Sequence, residues 1–84
     1  MEPKVLALKE INSGLVKAVA DIEYGGIILR GLKLIEGESG YSLDTASRKI
    51  NNSWQKVYEL TSPILRGNIL CALIASYRSL KGLA

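Results

Sequence analysis

Residues 15–24 alternate in character. Val16, Ala18, Ala20, Ile22 and Tyr24 fall on one side, and Lys17, Asp21 and Glu23 on the other. Successive side chains of an extended chain point to opposite faces, so a period of two specifies a strand with one buried and one wet face. A half-buried strand also needs neighbours and a cover, and the flanking sequence supplies both. Asn12-Ser13-Gly14 before it and Gly25-Gly26 after it read as tight turns in which glycine supplies positive φ. Residues 4–11 and 27–35 are therefore predicted strands on either side.

The third strand, residues 27–35, is apolar on both faces, with Ile28, Leu32 and Leu34 against Ile27, Leu29 and Ile35. Such a strand is expected to be covered on both sides or to lie near a subunit contact. Gly31 in its middle predicts a bulge or a close backbone approach. Residues 36–40 form a loop with two glycines, residues 41–45 a fourth strand, and residues 54–60, rich in aromatic and β-branched side chains, a fifth. The end of the chain differs in kind. Ser62 suits a helix N-cap and Pro63 its first position. From 64 to 80 the apolar residues follow helical spacing: Leu65, Ile69, Ala72, Leu73, Ser76 and Leu80 mark a face that Leu70, Ile74 and Tyr77 widen. Gly82 stops the helix. Strands first and one helix last predict an α+β fold: an antiparallel sheet of about five strands with one C-terminal helix packed on it, in a single domain over 1–84.

A chain of 84 residues builds only a thin core, yet 48% of this one is hydrophobic and only 23% charged. We expect part of that apolar surface to be buried against a second copy, the alternative being a compact monomer with a few exposed leucines. The net charge of +3 permits a polyanionic partner without demanding one. One cysteine excludes an intrachain disulfide and favours a reducing, intracellular setting. The absence of histidine removes the commonest general base and metal ligand. No secretory signal is legible at the start. The longest apolar run, residues 69–75, is far short of a membrane span, so the chain reads as cytoplasmic.

Chemistry-bearing residues are few. Ser47-Arg48-Lys49 follow the fourth strand and precede the polar loop Asn51-Asn52-Ser53. At the tip of a β-hairpin these three side chains would reach phosphates, a contact that fixes position on a nucleic acid without reading sequence. The alternative is a solvated hairpin tip. Arg66, in the first turns of the helix, stands where the macrodipole disfavours a cation. It would share an anion with Lys56 or the basic turn, or else pair with Glu59 or Glu36. Trp54 could stack on a base, but a lone tryptophan beside Val57 and Tyr58 reads more readily as core or dimer interface. Cys71, mid-helix among aliphatics, reads as a buried structural thiol. Gly37-x-x-Gly40 lacks the helix and lysine of a phosphate loop. No carboxylate pair has a pocket that would raise a pKa, and no metal-ligand set or cofactor motif is present. No enzyme is expected.

These residues, taken in order, resemble a known family. Residues 34–43, Leu-Ile-Glu-Gly-Glu-Ser-Gly-Tyr-Ser-Leu, look like the Val-Ile-acid-Gly-x-x-Gly-apolar segment of the SpoVG septation-protein family. Ala46-Ser47-Arg48-Lys49 is similar to that family's Pro-Ser-Lys-Arg. Arg66-Gly67-Asn68-Ile69, Ala72-Leu73, Tyr77 and Leu80 fall where its last helix carries similar residues. Gly14 and Lys17-Ala18 fit its opening hairpin, so the resemblance covers nearly the whole chain. There are departures: Ala46 and Leu60 replace prolines, Gln55-Lys56 replaces an Arg-Asp-like pair, and residues 50–53 lack a Pro-Asp-Gly. The resemblance implies a small bacterial homodimer that binds DNA, and for some members RNA, as a regulator of gene expression, septation and sporulation. It implies no enzymatic activity, cofactor, small-molecule substrate or membrane partner. Ser47, Arg48, Lys49, Lys56 and Arg66 are the expected nucleic-acid contacts. The competing expectation is a protein-interaction or scaffold module that uses the apolar helix face and strand edges.

Overall fold

The computed structural model describes residues 2–82. Six strands precede one helix: β1 (Lys4–Ser13), β2 (Val16–Tyr24), β3 (Ile27–Gly37), β4 (Gly40–Asp44), β5 (Ser47–Ile50), β6 (Ser53–Lys56) and α1 (Pro63–Leu80). The first four form an antiparallel meander in the order β1-β2-β3-β4, and β5 and β6 form a separate two-stranded ribbon. The α+β expectation holds, with one correction to its strands. The apolar stretch 54–60 is not a strand of the main sheet. Its first part pairs with residues 47–50, and residues 57–62 run on to the helix without regular structure. Among the described residues, no helix is long and apolar enough to cross a membrane.

The alternation of β2 is realised. Ala18, Ala20 and Ile22 are buried on the helix side, joined by Leu32 and Leu34 of β3, Leu43 of β4, and Ile69, Leu73 and Tyr77 of α1. Gly31 makes this set possible. Ala20 pairs with Leu32 and Ile22 with Leu29, so two residues, Arg30 and Gly31, stand opposite Asp21. That bulge puts Leu29 and Leu32, three apart in sequence, on the same face. Gly31 adopts φ +72°, and its N–H donates to Asp21 Oδ1 at 3.1 Å. The bulge reading of this glycine is thus realised; a Cβ on it would lie 3.3 Å from the side-chain Cβ of Ala46, so the neighbour that crowds it is a side chain and not a backbone.

The helix begins and ends on its expected signals. Ser62 Oγ accepts the N–H of Leu65 at 3.3 Å with Pro63 in the first turn, and Gly82 at φ +75° donates to the Ser79 carbonyl. Side chains anchor it to opposite edges of the sheet. Near its start Arg66 Nη2 donates to the Leu43 carbonyl of β4 at 2.6 Å. Just past its end Lys81 pairs with Glu10 of β1 at 2.7 Å. The rings of Tyr77 and Tyr41 meet edge to face at 6.3 Å.

The structure corrects two side-chain expectations. Cys71 is exposed, because it lies two residues from both Ile69 and Leu73 and so about 200° around the helix from the buried stripe. Trp54 is 73% exposed, which removes the core half of its reading and does not bear on the dimer-interface half. The outer face of β3 is open at its start, where Ile28 is exposed opposite Glu23, and half-buried further on at Lys33 and Ile35.

Candidate nucleic-acid interface

The ribbon owes its shape to two asparagines. Asn51 and Asn52 both adopt positive φ, 50° and 64°, and link Ile50 to Ser53 across a two-residue turn. Positive φ at both central residues defines the turn whose twist matches an antiparallel pair, and asparagine tolerates it. The tip is thus Asn51-Asn52. Ser47, Arg48 and Lys49, expected at the tip, instead form the ascending strand.

This register sorts the side chains. Ser47 pairs with Lys56, Arg48 with Gln55, Lys49 with Trp54 and Ile50 with Ser53. Directly opposed residues share a face. One face therefore carries Ser47, Lys49, Trp54 and Lys56, and the other Arg48, Ile50, Ser53 and Gln55. The pair flanking a two-residue turn is hydrogen-bonded and alternate pairs are not, so Lys49 and Trp54 form a non-hydrogen-bonded pair, the kind whose side chains stand closest. The hydrogen bond from Val57 N–H to the Ala46 carbonyl, 2.9 Å, keeps this parity down to the base of the ribbon. Every residue from 48 to 57 is exposed. Residues 47–56 contain Arg48, Lys49 and Lys56 and no carboxylate.

The remaining expected contacts lie at the base. Lys56 Nζ forms an ion pair with Asp44 at the end of β4. That hydrogen bond holds the Asp44 carboxyl below the usual carboxylate range, against a smaller opposing effect of burial. Arg66 is half-buried, and its guanidinium is turned to the Leu43 carbonyl. Its placement against the helix dipole therefore has a structural reason: it closes an outward-pointing carbonyl on the edge strand β4. Lys56 and Arg66 line one recess of about 240 Å³ with Asp44, Thr45, Glu59 and Thr61. Two cations face two carboxylates there, so the recess is balanced rather than anion-seeking. Three of the five expected residues, Ser47, Lys49 and Lys56, thus share a face. Arg48 is on the opposite side, and Arg66 serves the fold.

Two features of this surface are not picked out by the sequence. Asp44, the partner of Lys56, could not have been, since it is twelve residues away. The pairing of Lys49 with Trp54 could have been, by folding the chain about Asn51-Asn52 and counting outward.

A second surface is apolar. Tyr24, Ile27, Leu29, Tyr58, Leu60 and Leu65, with Glu59 as the one charged member, line a groove of about 450 Å³ at the β2–β3 turn, and Ile27 is 62% exposed. Tyr58 donates its hydroxyl to the Arg30 carbonyl at 2.7 Å and so fixes one wall. Burial of the phenol, with Asp21 nearby, pushes its pKa up.

No family model matches the chain. Over 77 residues it is 31% identical to the putative septation protein SpoVG of Archaeoglobus fulgidus, a match that covers 89% of this chain and 91% of the relative.

Proposed function

The chain belongs to the SpoVG septation-protein family, and from that premise we propose that it is a nucleic-acid-binding regulator that acts as a homodimer in a septation-related process. The observation that carries the binding is the ribbon: a hairpin exposed from Arg48 on, with three cations and no acidic residue of its own, one of the cations, Lys56, being paired with Asp44 at its base. Arg48 and Lys49 point to opposite sides of it. A strand of phosphates lying against one face meets Lys49 and Lys56, and only a ligand that wraps the hairpin also meets Arg48. Contacts of this kind supply affinity and register, and their strength falls steeply with salt.

Homodimerisation is supported by the apolar groove and by the exposed isoleucines Ile27, Ile28 and Ile64, the last 78% exposed. Two copies at +3 each would carry +6 and present two ribbons to one ligand. The same groove favours a second reading, a protein-interaction module without nucleic-acid binding.

Fluorescence anisotropy of labelled duplex and single-stranded oligonucleotides separates the two. Affinity should fall with salt at a log–log slope of about −0.9 for each duplex phosphate contacted, or about −0.7 on a single strand. The double variant Arg48→Ala, Lys49→Ala should weaken binding by a similar factor across unrelated sequences. Absence of binding to either form near about 50 mM salt would reject the nucleic-acid reading in favour of the interaction module.

A further inference from the structure

We infer that Trp54 and Lys49 form a stacking platform for unpaired nucleotides, so that the ligand of the ribbon is single-stranded nucleic acid. The inference rests on the nucleic-acid reading above and narrows its ligand class. Three observations carry it. Trp54 is the chain's single tryptophan and is 73% exposed on a regular strand, where an indole with no partner leaves a large apolar face in water. Lys49 is its cross-strand partner in a close, non-hydrogen-bonded pair. Ser47 and Lys56 continue the same face toward the base of the ribbon, giving it two cations and one hydroxyl beside one aromatic ring.

That combination is the chemistry of single-strand recognition. A base in a duplex shows only its edge to a groove, and an indole cannot lie flat on it. An unpaired base offers its whole π-face, while the phosphates on either side of it reach neighbouring ammonium groups. The stack tolerates any base, so the platform adds affinity for unpaired strands and little sequence preference. Charge complementarity argues for a nucleic acid over a second copy of the chain at this face. The hairpin holds Arg48, Lys49 and Lys56 and no carboxylate of its own, and its one ion pair among these is that of Lys56 with Asp44 at the base, so Lys49 beside Trp54 is left for an anionic ligand. The two-residue turn sets lysine and tryptophan directly opposite one another across the ribbon.

The test titrates the full chain with a short oligothymidylate and with a duplex of equal length, reading anisotropy and intrinsic fluorescence together. Because Trp54 is the only indole, its emission reports on this position alone. Saturation with oligothymidylate should quench it. Trp54→Ala should weaken single-strand binding by roughly tenfold while duplex affinity stays within about twofold. Trp54→Phe should restore most of the loss. Lys49→Ala should lower the single-strand salt slope by about 0.7. Far-UV circular dichroism of Trp54→Ala should match the wild type, since the side chain is outside the core. Single-strand binding with no quenching, and no loss in Trp54→Ala, would overturn the platform and leave the broader reading standing. No binding of either oligonucleotide would remove both. An emission change driven by protein concentration alone and indifferent to oligothymidylate would assign this face to a second copy and overturn the inference.

Discussion

At Asp44 the carboxylate and the Lys56 ammonium already satisfy one another, so an incoming phosphate must compete for the lysine. Removing the carboxylate frees the cation. Asp44→Asn should tighten oligonucleotide binding at low salt by about two- to fivefold, the range expected of a partly exposed ion pair. Anisotropy would show it, and an unchanged affinity would mean that Lys56 is not a contact. The same pair makes stability pH-dependent. The folded carboxyl has a lowered pKa, so the unfolded chain binds more protons between the folded and unfolded values. The contribution is complete above the ordinary aspartate range and is lost as pH falls through the lowered value. Urea melts across that acid window should show a shallower loss for Asp44→Asn than for wild type. Gly31 yields a second residue-scale prediction. With φ +72° and a Cβ that would crowd Ala46, Gly31→Ala should cost about 1–2 kcal/mol in urea unfolding. Gly31 was legible because a glycine inside an apolar strand has few other uses. Cys71 was misjudged from its neighbours along the chain, when the 3.6-residue turn already set it opposite Ile69 and Leu73.

Among the elements, those fixed by local rules were legible and those fixed by distant partners were not. The alternation of β2, the Ser62 cap with Pro63, and the stop at Gly82 each depend on a few adjacent residues. Residues 54–60 look like one strand because tryptophan, valine and tyrosine favour extended backbone. What divides them is contact with remote groups: Lys49 and Arg48 pair with 54 and 55, while Ala46 and Arg30 hold Val57 and Tyr58. For the candidate site, the residue types were readable but not their sides, because side depends on where the turn falls. That turn is testable. Asn52→Val forces a β-branched residue to φ near 64° and should cost the ribbon about 1–2 kcal/mol. The main sheet does not depend on it. Amide exchange should therefore quicken in β5 and β6 while β2 and β3 keep their protection. Equal loss in both sheets would show that the ribbon is part of the folding core.

For the whole molecule, surface area sets the last expectation. A compact monomer of 9.1 kDa should expose about 4,900 Å². This chain exposes 5671 Å², an excess of about 800 Å² to which the exposed ribbon and the open groove both contribute. One helix covers one face of the sheet, and the groove beside Ile27 remains open. The number of copies is not legible in a sequence, since an apolar excess does not say whether a second chain or another protein covers it. Sedimentation at tens of micromolar should resolve this, with the wild type running as a dimer. Ile27→Asp would place an unpaired carboxylate against Leu29, Tyr58 and Leu60 and should shift the population to monomer. Arg48→Ala, on the ribbon, should remain dimeric. A monomeric wild type would hand the groove to a different protein, and one ribbon per molecule would then have to supply all of the salt dependence.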